Sequence, residues 1–183
     1  METVPLHRNR PLMTSRVLAA AALVALLAAA PVCAFAAKAP TVALKSLADL
    51  PTPLPYPYNE TADAEADVAA ALKRAKAARK LVLIDFGGNW CPDCRIFAGL
   101  IEQPDVKTFV DKHYEVVTVD VGRYTKNMQI PARYGVDKLK GVPSFLVVDT
   151  KGKLINDGAF FALTDARHMT PQSITDWLAQ WVK

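Results

Sequence analysis

The stretch Leu81-Val82-Leu83-Ile84-Asp85-Phe86-Gly87-Gly88-Asn89-Trp90-Cys91-Pro92-Asp93-Cys94-Arg95 decides how this chain folds. Leu81–Asp85 is apolar until its last residue, and a Gly-Gly pair soon follows. That pattern predicts a buried strand ending at a turn. From Pro92 to about Ile101 the composition is helical, with proline in the first turn, where its missing N–H costs little. Cys91 and Cys94 therefore fall where a strand hands over to a helix N-terminus. The unpaired N–H groups and positive dipole end there favour an anion, so a thiolate at Cys91 is stabilised by position.

The chain has 183 residues, room for one ordinary domain plus extras. Residues 1–36 read as an extra. Arg8, Arg10 and Arg16 precede an uninterrupted apolar run, Val17–Ala30, and Ala34-Phe35-Ala36 suits a small-residue cleavage site. These are the three parts of a secretory signal. The apolar run is short for a membrane span, so cleavage after Ala36 is expected in preference to a retained anchor or to lipoprotein processing at Cys33. Export would place the protein in the periplasm, where disulfides persist. The whole chain carries 22 basic and 18 acidic residues. Three arginines and one glutamate lie in the leader, so the remainder has a formal charge of only +2. Nucleic-acid binding asks for a clustered basic face, and none is expected here.

Residues 37–60 hold Pro40, Pro51, Pro53, Pro55 and Pro57 without helical or alternating period, and read as an extended Pro-rich linker whose Tyr and Leu side chains can lie along the domain. Residues 61–183 read as the domain. Thr61–Lys80 is Ala-rich, acidic early and basic late, with Val68, Ala71, Leu72 and Ala75 on one stripe, which predicts a helix packed by one face. After the cysteine helix come a short helix over Asp105–Tyr114 and a strand over Glu115–Val121. A helical stretch over Thr125–Tyr134, interrupted by Pro131, follows. Ser144–Asp149 reads as a strand joined through Lys151-Gly152 to a hairpin partner over Lys153–Asn156. Thr170-Pro171 opens the last helix with an N-cap and a first-turn proline. Strands separated by helices and closed by a hairpin imply an α/β layer fold with a mixed sheet flanked by helices.

A Cys-x-x-Cys beside a βαβ pattern reads as a redox motif. Structural zinc wants four ligands, and beyond residue 36 the chain offers two cysteines plus His113 and His168 without paired spacing. No metal and no organic cofactor is expected. Copper capture by the dithiol stays open as an alternative, as does an inert disulfide.

Leu81–Phe86, Trp90-Cys91-Pro92-Asp93-Cys94 and, about fifty residues on, Gly141-Val142-Pro143 together resemble the thioredoxin family over roughly Thr61–Lys183. The segment is similar to exported members, among them the periplasmic domain of the membrane thiol-reductant transporter. The resemblance implies the three-layer thioredoxin-like fold. It implies that Cys91, the more exposed cysteine, attacks a disulfide and that Cys94 resolves the mixed disulfide. It further implies that Asp85 is a buried carboxylate beneath them, able to take the Cys94 proton. Pro143 would be the family's cis-proline, with the Val142 backbone and Trp90 meeting the substrate. Two departures stand out: Pro92-Asp93 between the cysteines, and Gly87-Gly88 before them. A carboxylate at Asp93 should blunt the acidity of Cys91 and make the couple more reducing, with Arg95 offsetting part of this.

The reading that follows is a monomeric periplasmic thiol–disulfide oxidoreductase acting on protein thiols and disulfides, with a membrane thiol-reductant transporter as a possible electron source. The competing reading is a redox-inactive module of the same fold that binds peptides along the Val142-Pro143 edge. His113 and His168 are expected on the surface.

Overall fold

The computed structural model describes Met1 and residues 37–183. The expected leader, with its cleavage site at Ala36 and its alternatives as an anchor or a lipoprotein, lies outside that range. Among the described residues no helix is long and apolar enough to cross a membrane.

The order is α1 (Ala64–Ala78), β1 (Leu81–Gly87), α2 (Pro92–Ile101), α3 (Pro104–His113), β2 (Tyr114–Asp120), α4 (Gln129–Ala132), β3 (Ser144–Val148) and α5 (Pro171–Ala179), with short 3-10 turns at Leu47–Asp49 and Ala166–His168. β1 is central. It pairs parallel to β2, Leu81 opposite Tyr114 and Gly87 opposite Asp120, and antiparallel to β3, Val82 opposite Val148 and Phe86 opposite Ser144. A strand flanked on both edges and covered on both faces is mostly apolar, and β1 is buried from Val82 to its end, Asp85 included.

The expected mixed sheet between helices is therefore present, and its two faces carry different cores. Val82, Ile84 and Phe86 of β1 pack with Val68, Ala71 and Ala75 of α1. Leu83, on the opposite pleat, joins Phe97 and Leu100 of α2, Val106 and Phe109 of α3, and Ile174, Trp177 and Leu178 of α5. Caps fix two helix starts, of which the sequence leads one to expect the second. The Asp63 side chain accepts from the Ala66 N–H, and Thr170 forms a capping box with Ser173 ahead of Pro171.

Three expectations need correction. The hairpin partner Lys153–Asn156 does not form a strand; Leu154 makes one isolated bridge to Val148. The Asn156 side chain replaces ladder bonds, accepting from the Val147 N–H at 2.8 Å and donating to the Phe145 carbonyl at 2.9 Å. Only Gln129–Ala132 of the Thr125–Tyr134 stretch is helical, because Tyr124 and Asn127 before it take positive φ.

The third concerns residues 37–60, which pack into the domain's core instead of only leading up to it. Val42, Leu47 and Leu50 are buried in the α2–α3–α5 core. The Ala37 N–H donates to the Val182 carbonyl at 2.8 Å, and Gln172 accepts from the Val42 N–H and donates to the Pro40 carbonyl, both at 3.0 Å. The segment is a strap laid along the domain.

Candidate active site

β1 ends at Gly87, a three-residue turn follows, and Cys91 is the N-cap of α2. Its sulfur accepts the Cys94 backbone N–H at 3.2 Å and its thiol donates to the Val142 carbonyl at 3.4 Å. The strand-to-helix handover is thus in place, and the pair faces the Val142-Pro143 segment, whose peptide bond is cis. Both cysteines are free thiols. The expected exposure of Cys91 is not seen: it is 3% exposed against 0% for Cys94, and it shares a buried cluster with Val142. Its pKa is lowered because the Cys94 thiol and backbone N–H bond to its sulfur, against the opposing effect of burial. Burial, with the neighbouring Cys91 and Asp85, pushes the Cys94 thiol far up. One ready nucleophile and one reluctant one result.

Asp85 does not face water. It is 1% exposed, and burial pushes its carboxyl up to about 8, with the nearby Cys91 adding to the rise and a hydrogen bond from Tyr58 opposing it. A base with that poise is half-ionised at about pH 8 and keeps an ionised fraction at neutral pH, where it can accept a proton from a thiol.

Asp93 is placed differently from the sequence reading. It is buried and gripped by Arg167, which sits 74 residues further on. The Arg167 backbone N–H donates to Oδ1 at 2.9 Å, Nε reaches both oxygens at 3.0 and 3.1 Å, and Nη2 donates to Oδ2 at 2.5 Å. Burial alone would raise the Asp93 carboxyl, but the Arg167 bonds outweigh it and hold the carboxyl low. The charge beside Cys91 is therefore paired, and Cys91 stays acidic. Arg95 plays no part in this. It donates to the Pro55 carbonyl at 3.0 Å and the Leu54 carbonyl at 2.8 Å, and its guanidinium lies 3.9 Å from the Tyr56 ring centroid. Pro92 is exposed at the first position of α2.

Trp90 is 37% exposed beside the cysteines. Its indole N–H donates to the Gly122 carbonyl at 2.5 Å, Tyr124 meets it edge-on at 6.1 Å, and the Arg123 guanidinium stands 4.8 Å from its ring. His168 is exposed and His113 half-buried. Among the described residues no group of three or more His, Cys, Asp or Glu side chains could hold a metal.

Residues 63–150 match a family model described as thioredoxin-like. The solved disulphide isomerase of Xylella fastidiosa Temecula1 is 36% identical, with a TM-score of 0.65; the match covers 69% of this chain and 96% of that one. The chain belongs to the thioredoxin-like family. The oxidised C-terminal domain of DsbD from Neisseria meningitidis is 28% identical over 51% of this chain and 80% of its own, at a TM-score of 0.40. An oxidoreductase named DsbH is 29% identical over 47% and 65%, at a TM-score of 0.38. No curated protein matches the chain.

Within this thioredoxin-like domain, sequence reading missed Tyr58. The Pro-rich strap inserts it beneath the cysteines, 3% exposed, with its hydroxyl donating to Asp85 Oδ1 at 2.8 Å. Gly87 makes the room. A Cβ there would collide with the Tyr58 hydroxyl and lie 2.7 Å from the Cys94 sulfur. A glycine at a strand end signals such close approach, but nothing in the sequence names what approaches.

Proposed function

We propose that the protein is a thiol–disulfide oxidoreductase that exchanges or reduces protein disulfides through Cys91 and Cys94. The observation that carries the reading is the Cys91 sulfur at the mouth of α2. It holds a hydrogen bond from the Cys94 N–H, and the buried carboxylate Asp85 lies in the same site. The relative from Xylella is described as a disulphide isomerase, which agrees in chemical class.

In the reductive direction the Cys91 thiolate attacks a substrate disulfide. A Cys91–substrate bond forms, and the other substrate sulfur leaves as a thiolate. Cys94 then gives its proton to Asp85 and attacks Cys91, releasing the second substrate sulfur and closing the Cys91–Cys94 disulfide. An outside thiol must reopen that disulfide, and a membrane thiol-reductant transporter is the class of donor we infer for a monomeric protein exported to the periplasm by its N-terminal segment. Trp90 and the Val142-Pro143 segment would bind the polypeptide beside its disulfide, while Pro92 and Asp93 set the potential.

The near-complete burial of Cys91 favours a second reading, a module of this fold that binds peptides without redox turnover. Insulin reduction by dithiothreitol separates the two. We expect catalysis by the wild-type protein, loss of it in Cys91→Ser, and accumulation of a mixed disulfide in Cys94→Ala. Equal rates with the wild type and Cys91→Ser would overturn the oxidoreductase reading.

A further inference from the structure

The strap residues 54–58 are tied to the redox helix from both ends. Arg95 of α2 holds the Pro55 and Leu54 carbonyls. Asn89, in the turn before Cys91, accepts the Tyr58 N–H at 3.1 Å and donates to the Tyr58 carbonyl at 2.8 Å. Thr118 of β2 donates to the Pro57 carbonyl at 3.0 Å. Two residues of the motif region and one of the sheet thus fix a buried tyrosine whose hydroxyl meets Asp85. Gly87 leaves a space whose borders are that hydroxyl and the Cys94 sulfur. A purely space-filling ring would need none of this polar anchoring.

We propose that Tyr58 is a positioning residue for the exchange reaction, its hydroxyl holding the Asp85 carboxylate in place to take the Cys94 proton during resolution of the mixed disulfide. The inference rests on the oxidoreductase reading above. In the step, the Cys94 S–H proton passes to Asp85, the Cys94 sulfur forms a bond to the Cys91 sulfur, and the bond from Cys91 to the substrate sulfur breaks. The electron pair of the broken bond leaves with the substrate thiolate. Tyr58 keeps its own proton throughout. Its hydrogen bond favours the ionised carboxylate, which burial disfavours.

The titratable groups facing Asp85 are Tyr58 from the strap and Cys91 and Cys94 from α2. Its register partners on the sheet, Thr118 of β2 and Phe145 of β3, do not titrate. Asp120, opposite Gly87, is ion-paired with Lys126.

Tyr58→Phe keeps the ring and removes the hydroxyl, and two measurements on the full chain test it. The first follows the reduced protein with an aryl disulfide probe that first loads Cys91 and then releases a coloured thiolate as Cys94 resolves it. Losing a hydrogen bond to a charged group should slow resolution about tenfold at neutral pH and move its pH profile up by about one unit. In an Asp85→Asn background the same substitution should change nothing further. The second follows the Asp85 carboxyl by carbon NMR, which needs no turnover, and should also titrate higher in Tyr58→Phe. An unchanged Asp85 titration overturns the proposal, as does a pH profile that overlays the wild type. Failure of the wild type to release the second thiolate sinks the oxidoreductase reading, and with it the role in exchange.

Discussion

Arg167 and Asp93, 74 positions apart, form a bidentate pair directly under the mouth of the redox helix, with Nη2 to Oδ2 at 2.5 Å and a backbone N–H on Oδ1 at 2.9 Å. The pair decides how much of the Asp93 charge Cys91 feels. Arg167→Ala leaves that carboxylate unpaired, so the Cys91 thiolate loses stability and its pKa rises. The reduced form is then less favoured, and the couple should become more reducing by roughly 10–30 mV. Asp93→Asn removes the charge and should shift the potential the other way. Equilibration with glutathione measures both. Shifts of equal sign in the two variants would show that the pair acts by packing and not by charge.

Asp85 ties stability to pH. Its folded pKa of about 8 lies above the unfolded value near 4. The native state therefore binds the proton more tightly, and stability falls as pH rises between those values. The stabilising contribution is fully present below about pH 4 and gone above about pH 8. Urea unfolding of the reduced protein should show a decline approaching 1.4 kcal/mol per pH unit within that window. Asp85→Asn, which cannot ionise, should flatten the decline. Parallel curves for the two proteins would mean that the carboxylate is solvated after all.

Gly87→Ala puts a methyl group where the Tyr58 hydroxyl and the Cys94 sulfur already stand. Overpacking of this kind costs typically about 1–3 kcal/mol. Removing the hydroxyl relieves one of the two collisions, so Gly87→Ala with Tyr58→Phe should lose less than the two single costs combined. Additive losses in denaturant unfolding would place the strain elsewhere.

β1, the turn and α2 could be read from the sequence because each rests on a local pattern: an apolar run, paired glycines, a first-turn proline. The same holds for α5, whose start is written in Thr170-Pro171. The missing second strand of the hairpin was not legible, since Asn156, which the sequence counts into that strand, supplies the bonds with its side chain. Tyr58 and Arg167 were invisible for another reason. Each acts on a residue 27 or 74 positions away, and no spacing rule links a tyrosine in a Pro-rich stretch, or an arginine in a loop, to a cysteine motif. Proximity in sequence sets Arg95 beside Asp93. On α2 they point to different partners.

Arg95 is the charged anchor of strap residues 54–56. Its guanidinium serves two carbonyls of the segment and stacks on Tyr56, so truncation removes two charge-assisted hydrogen bonds and a cation–π contact at once. Arg95→Ala should cost about 2–3 kcal/mol, given roughly 1 kcal/mol or more for each such bond when partly buried. The loss should be local before it is global. Amide exchange ought to rise at Tyr58 and at residues 54–57 while β1 stays protected, because β1 draws its protection from both neighbouring strands. Lys at the same position keeps the charge but not the fork, and should recover less than half of the loss. If Arg95→Ala leaves exchange at Tyr58 unchanged, Asn89 and Thr118 hold the strap unaided, and Tyr58 owes its place to the sheet instead of the redox helix.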